Sequence, residues 1–556
     1  MADMVSRIYG GFRGVDFRGE ECNLARSPDS LNVWKDYKET ESIRTRPGME
    51  LHQAVEGPVY GIWFYKGKML THANHTLYAV AEGVLEVICE EVNPAQSNGF
   101  IYENVFYFMD QNRYFQYDGV DFEEVEGYVP TTSIGRAPEG GGEIYQEANM
   151  LTGRRINTFL GDNASCDYYL DVQDGIDDDF APIVKIDGKK VSGYKVDYEK
   201  GMISFTKAPD APGTDGQDNV SVEFSKTIPE YRDSICQCSL LQVFDNRVFV
   251  SGNPDFPNVV WHCSLNNPAY FSDLDYYREG MDEAQVKGMV AGNNALWVFR
   301  EPSEANTNVF YHTPALDDEY GKIYPSSHSS VTIGCVGKAI NFNDDIVFFS
   351  GRGMEGVSGD ITTEQMASHR SSLVDSRLIT EDDYKDMILE EWEGYLFVFI
   401  GNKAYLADSR AVFTNENHVE YEWFYWEMEK PITCAKVQDG ILHLGTDDGI
   451  YTLTDNACAL ESYWVTPKDK FKYPHRQKTT NKRGCVAEAG GDISVYAKTE
   501  DTEYELIGEY KEVQDYFVSR IKRKKFKDIQ LKFHSTTRFS LETVTLECFI
   551  GGYIKR

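Results

Sequence analysis

Positive charge is what this sequence most lacks. Lys and Arg total 55 against 89 Asp and Glu, a formal net charge of −34 over 556 residues. A surface of that sign repels the phosphate backbone and excludes ordinary nucleic-acid binding by charge neutralisation. The same repulsion suits a channel that passes DNA without holding it; plain solubility is the other reading. Long apolar runs are missing too. No stretch approaches ~18 consecutive apolar residues, and Met1 to Gly10 holds no apolar segment of signal-peptide type. Neither a membrane-spanning segment nor export by a general route is expected.

Cysteine is sparse and odd in number, 11 scattered along the chain, unlike the dense even sets of small disulfide scaffolds. Cys236 and Cys238 form a C-x-C that would put both thiols on one face of a strand, but no second pair stands at zinc-site spacing. Reduced thiols are expected, as in a protein assembled in cytoplasm.

Catalytic signatures are missing as well: no G-x-x-x-x-G-K-S/T phosphate loop, no G-x-S-x-G elbow, no H-E-x-x-H. Gly351-Arg352-Gly353-Met354-Glu355-Gly356 fits a loose G-x-G-x-x-G but opens no helix, and reads as a blade-to-blade turn. His72 and His75 have no third ligand in view and read as loop or blade-rim residues. The acidic tract Asp174 to Asp179 lacks the ligand spacing of an EF-hand and reads as a solvated loop. No catalytic residue, cofactor or metal ligand is assigned, and a non-enzyme is expected.

Aromatics are what the chain has in quantity: 35 Tyr and 31 Phe, interrupted by only 19 Pro and 46 Gly. They gather in short runs of β-formers, which favours strands over helices. A strand, a short polar turn and a more apolar strand recur. Examples are Val59–Tyr65 with Lys66-Gly67-Lys68, Leu240–Phe244 with Asp245-Asn246, and Val286–Val290 with Asn293-Asn294. Lys338–Phe342 with Asp344-Asp345 and Thr433–Val437 with Asp439-Gly440 continue the series. This is hairpin grammar, and the later copies recur at roughly 40 to 55 residues, the period of propeller blades.

The expected fold is all-β: a six- or seven-bladed β-propeller with an inserted β-sandwich and a C-terminal β-sandwich, a two-sheet sandwich being the alternative. An N-terminal segment and closing strand would occupy 1–50. Blades would fill 51–153 and 227–460, the inserted sandwich 154–226 and the C-terminal sandwich 461–556. Trp63, Trp261, Trp297, Trp392, Trp423, Trp426 and Trp464 mostly sit in apolar strand patterns and read as core. The cluster Arg520, Lys522, Arg523, Lys524 and Lys525 is the only dense basic patch, a candidate docking surface for an acidic neighbouring subunit or a lysine-guarded edge.

Two segments carry a family resemblance. Asp29-Ser30-Leu31-Asn32-Val33 followed by Ile43-Arg44-Thr45-Arg46-Pro47-Gly48-Met49 resembles the opening of the tail-hub, nozzle or stabilisation proteins of short-tailed bacteriophages. There an N-V segment leads to an R-x-R-P-G strand ahead of the first blade. Asn246-Arg247-Val248-Phe249-Val250-Ser251-Gly252-Asn253-Pro254, with Asn258 to Ser264 and Asn267 to Phe271, is similar to a later segment of the same proteins. The strand before Pro47-Gly48 would then pair with the last blade and close the ring. The resemblance implies a virion protein assembled in the bacterial cytoplasm as a homo-oligomeric ring, commonly six copies. Such a ring would sit below portal and adaptor proteins, extend the DNA channel, retain the genome until ejection and anchor fibres or spikes. Viral DNA would pass its lumen without specific binding. The rival reading is a propeller that binds or degrades carbohydrate at a surface, although the S-x-D-x-G-x-T-W box is missing.

Overall fold

A computed structural model describes every residue except 1–2, 39–40, 173, 215, 305–306, 318–320, 359–365, 416–417, 457–459, 522–524 and 554–556. The chain is nearly all β. The helical pieces among the described residues are the short segments Tyr231–Cys236, Asp375–Leu378 and Tyr384–Asp386. None is long and apolar enough to cross a membrane.

Among the described residues a four-stranded antiparallel sheet of propeller-blade type recurs seven times. In each, the first and second strands are joined by two residues that both have positive φ. These pairs are Lys66/Gly67, Glu103/Asn104, Asp245/Asn246, Asn293/Asn294, Asn343/Asp344, Glu393/Gly394 and Asp439/Gly440. That conformation defines the type I′ turn, whose twist matches paired strands and which Asn, Asp and Gly enter at least cost. One turn therefore shifts by a residue from its expected place: Asp345 opens the second strand, and Asn343-Asp344 makes the corner.

The second strand is the one buried on both faces. Arg247–Ser251, Ala295–Arg300 and Tyr395–Ile400 are buried along their whole length. Fourth strands such as Val84–Cys89 and Tyr276–Arg278 are largely open to solvent, whereas His418–Glu427, covered by N-terminal strands, is buried over residues 420–426. A sheet covered on both faces near its inner edge and bare at its outer edge is how a blade packs between neighbouring blades.

The chain divides into two compact units. The first comprises Met1–Glu90, Asn306–Val309 and Ser329–Arg556. In it, first strands pack in succession: Ala339–Phe342 on Ile388–Trp392, that strand on Cys434–Gln438, and that one on Val59–Tyr65. The sheet of 434–454 takes its fourth strand from Gly48–Ala54, antiparallel to Gly449–Thr454. The strand after Pro47 thus completes the last sheet, and the expectation for the strand before it is corrected. Ile43–Thr45 instead pairs with Val33–Lys35 and with Ser540 and Leu541. Proline has no N–H to continue a ladder, so the chain changes sheets at Pro47.

The partner of Ile43–Thr45 is a ten-stranded, nearly closed sheet in the same unit. It contains β1 (Asp3–Gly10), β2 (Arg476–Thr499), β3 (Tyr516–Ser519) and β4 (Phe539–Tyr553), with β1 on β4, β4 on β2 and β2 on β3. N-terminal strands are thereby built into the C-terminal domain. Its core, including Tyr9, Trp34, Trp464, Phe533, Leu541 and Leu546, is continuous with Phe397, Phe424 and Trp426 of the 388–427 sheet.

The second unit comprises Glu91–Ala305 and Phe310–His328. Its first strands Asn98–Tyr102, Leu240–Phe244 and Val286–Gly292 pack in that order. The inserted sandwich lies here. A six-stranded sheet and a three-stranded sheet enclose Phe159, Tyr168, Val184, Ile203, Val222 and Phe224. It starts at Thr131–Arg136, ahead of the expected Arg154, because that strand pairs in parallel with Arg154–Phe159.

Three local expectations are corrected. Cys236 ends a helical turn and Cys238 follows it, so the two thiols do not share a strand face. His72 is fully buried within Lys68–Ala73, while His75 occupies the exposed turn that follows. Gly351-Arg352-Gly353 is a hairpin inside one sheet, between Asp345–Phe349 and Met354–Ser358.

Candidate functional site

The first family-like segment forms a buried joint in the first unit. Asn32 is held at φ 54°, and its side-chain oxygen accepts from Arg46 Nε at 2.9 Å and from the Glu427 N–H at 2.9 Å. Asn32 Nδ2 donates to Glu461 O at 2.9 Å. Arg46 is wholly buried. It donates to Pro47 O at 2.8 Å, Glu427 O at 2.6 Å and Glu429 Oε2 at 2.9 Å, above the Trp426 ring. Burial pulls its pKa down while Glu429 opposes that shift. Arg44 pairs with Asp36, and Gly48 opens the strand against Thr454. Asn32, Arg44, Arg46, Pro47 and Gly48 therefore fasten the ten-stranded sheet to two neighbouring blades. A second joint, not foreseen from the sequence, is Arg26 bidentate on Glu422 at 2.7 and 2.8 Å beneath Phe413.

The second family-like segment is also internal, within the second unit. Asn246 makes the I′ corner, and Arg247 donates to Cys263 O at 3.0 Å and Tyr324 Oη at 3.2 Å. Ser251 Oγ donates to Val259 O at 2.6 Å. Gly252 sits at φ 77°, where an added Cβ would lie 2.4 Å from Ser239 Oγ. Asn253 Nδ2 donates to Ser234 O, and its Oδ1 accepts the Asp255 and Phe256 N–H groups, an Asx cap on the turn that Pro254 enters. The acidic tract is likewise tied down: Asp177 accepts from Ser225, Thr227 Oγ1 and the Thr227 N–H, and Asp174 pairs with Lys226.

The surface with the clearest capacity for a partner is the outer face of the ten-stranded sheet. Strand register aligns Val518, Val486, Thr545 and Ile8 across β3, β2, β4 and β1. One position over, Tyr516 opposes Glu488; further along, Phe549 opposes Met4. Alternation sends Phe517, Ala487, Leu546 and Tyr9 inward and this set outward. Met4 (56% exposed), Ile8 (62%), Tyr516 (61%) and Tyr553 (73%) stand open to water, with Val518 and Phe549 partly open. The sequence does carry this signal: in Met4-Val5-Ser6-Arg7-Ile8-Tyr9 apolar residues occupy both parities, so one set has to face outward.

Arg520, the first residue of the basic cluster, adjoins this face. Directly after β3, it continues that strand's outward parity and is exposed, as is Lys525; Lys522, Arg523 and Lys524 lie outside the described residues.

The most perturbed histidine lies elsewhere. His369 is held between Glu355 (Nδ1 to Oε1, 3.0 Å) and Asp375 (Nε2 to Oδ2, 2.5 Å), with Ser371 Oγ donating to Asp375 at 2.6 Å. Burial works against its charge, but the two carboxylates prevail and push its pKa up to about 10. An imidazolium fixed at both nitrogens is a cationic clamp on the 339–375 segment, without a free lone pair to accept a proton.

No protein-family model and no curated protein matches the sequence. Among solved structures the chain is similar to virginiamycin B lyase from Staphylococcus aureus, at 11% identity over 73% of this chain and 99% of that one, TM-score 0.37. It is also similar to BamB from Moraxella catarrhalis, at 8% identity over 76% of this chain and 93% of that one, TM-score 0.34. Likenesses this distant assign no activity, substrate or partner.

Proposed function

We propose that this chain is a structural protein of a bacteriophage particle, a homo-oligomeric tail hub or nozzle ring set below the portal and adaptor. In this reading the ring, of six copies by family resemblance, extends the DNA channel, retains the genome until ejection and offers its outer surface to fibres or spikes. The observation that carries the reading is the outward face of β1, β4, β2 and β3, with Arg520 at its border. Exposed apolar clusters of this kind mark interaction sites on soluble proteins.

The occupant we assign to the face is a second copy of the chain. Copies carrying −34 each repel one another. Association needs apolar burial together with a local reversal of sign, and Arg520 to Lys525 supplies that reversal for an acidic neighbour. The two family-like segments support the reading differently: their side chains brace the module internally, as a load-carrying ring subunit requires. The remaining acidic surface suits a lumen along which DNA slides.

Replacing Lys522, Arg523, Lys524 and Lys525 together with Glu tests the reading. The isolated chain should keep its circular dichroism and melting temperature, while incorporation into particles falls. Undiminished incorporation would overturn the docking role.

A further inference from the structure

Two adjoining cavities in the second unit, of about 380 and 260 Å³, share Met150 and Tyr231 as a common wall. The larger lies within the ~300–1,000 Å³ range of small-ligand sites. From their chemistry we propose that together they form a binding cleft for an acidic oligosaccharide, a property separate from ring assembly.

The larger cavity presents a cation with no ion pair among the described residues; the Asp174 carboxylate, paired with Lys226, feels its charge from farther off. The cavity's other cations are paired among the described residues: Arg154 with Glu223, Lys226 with Asp174 and Arg232 with Glu124. Arg155 is not. It is only 9% exposed, its recorded bond is Nη2 to Lys226 O at 3.1 Å, its Nε is buried without a partner, and it has no ion pair among the described residues. A buried guanidinium on a cavity wall, with an unbonded Nε and no carboxylate in contact, is set up for an external anion.

The smaller cavity adds apolar and hydroxyl-accepting groups. Trp261, Phe256, Tyr231 and Tyr276 line it. Asp273 accepts the Tyr231 hydroxyl at 3.0 Å through Oδ2 and keeps Oδ1 buried without a partner. Arg278, beside Tyr276, has no ion pair among the described residues.

A sugar ring has apolar C–H faces for aromatic walls and hydroxyls for Asp273, while carboxylates along the chain reach Arg155 at one end and Arg278 at the other. A neutral sugar would bring no negative charge to the buried Arg155. Phosphate alone would leave the aromatic wall and Asp273 unused.

The test is isothermal titration calorimetry of the full chain with trigalacturonate, alongside maltotriose, inorganic phosphate and a tetrathymidylate. Trigalacturonate should bind, and maltotriose should bind roughly tenfold or more weakly. Arg155→Gln and Tyr276→Ala should each weaken trigalacturonate by a similar factor. Tyr276 is surface-exposed, so Y276A decides the matter if R155Q fails to fold. No heat with trigalacturonate at millimolar concentration, an affinity unmoved by Y276A, or equal binding of phosphate or tetrathymidylate would overturn the proposal. Assembly is read separately by sedimentation, so loss of saccharide binding leaves the ring reading standing, and the reverse.

Discussion

Arg46→Ala should be the most damaging single substitution at the joint between the blades and the ten-stranded sheet. The guanidinium is wholly buried and satisfies four acceptors: Asn32 Oδ1, Pro47 O, Glu427 O and Glu429 Oε2. Alanine leaves two carbonyls without that donor, strips Glu429 of its cation and opens a void over Trp426. Breaking a buried charge pair by deleting one partner costs about 3–5 kcal/mol, and each stranded acceptor adds about 1–3 kcal/mol where water cannot reach it. Water entering from the side of Glu429, which is 36% exposed, recovers part of that sum. A net loss of roughly 3–5 kcal/mol is therefore expected. Arg46→Lys keeps the charge but cannot hold the fork-like set of bonds, so it should fall between. Urea unfolding followed by tryptophan fluorescence measures the loss. Hydrogen exchange should localise it to residues 30–54 and 420–430. A loss below about 1 kcal/mol, or exchange unchanged in those segments, would refute the assignment of Arg46 as the pin of this joint.

Other consequences are equally direct. Gly353→Ala should lower stability by at least about 1–3 kcal/mol, read as a drop in melting temperature. Its φ of 139° excludes ordinary side chains, and a Cβ would lie 2.5 Å from Asp375 Oδ1 and 2.6 Å from His369. His369 sets a pH dependence of definite sign. Its folded pKa, about 10, exceeds its unfolded value, so its stabilisation is fully present below about pH 6.5 and disappears as pH rises through 10. Chemical denaturation between pH 6.5 and 10 should show a decline on the order of a few kcal/mol, and His369→Ala should flatten it. A slope that H369A leaves unchanged would assign the decline to other groups.

The fold was legible wherever one local rule decided it. Asp245-Asn246, Asn293-Asn294 and Asp439-Gly440 announce I′ corners by composition, and each joins a half-covered strand to a more deeply buried one. Glu103-Asn104 and Glu393-Gly394 make the same corner with a Glu that composition does not mark. The hairpin at Asn343 slipped by one residue because three polar residues stand in a row and only pairing chooses among them.

Long-range pairing was not legible. Nothing within Asp3–Gly10 says that it pairs with residues 543–550, or that Ile43–Thr45 joins the far end of the chain, because such contacts form across more than 490 residues. The same limit applied to the joint: Arg46 was singled out by family resemblance, while its acceptors Glu427 and Glu429 lie 381 and 383 residues away. Of the outward face only the Met4–Tyr9 part is marked in the sequence, by apolar residues at both parities; the stripe itself exists only once four strands stand in register. Arg155 and Arg278 were invisible for a further reason: being unpaired is a property of space, and sequence shows only that many acids are available.

Sedimentation velocity of the full chain, set against the double variant Ile8→Glu, Val518→Glu, goes straight to whether the sheet face joins copies. The natural chain should sediment as a discrete multimer that gives ring images in negative stain. The double variant should sediment as a folded monomer, since two carboxylates would have to be desolvated at the centre of the contact. A natural chain that stays monomeric at every concentration, or a double variant that still forms the same ring, would contradict the assembly reading.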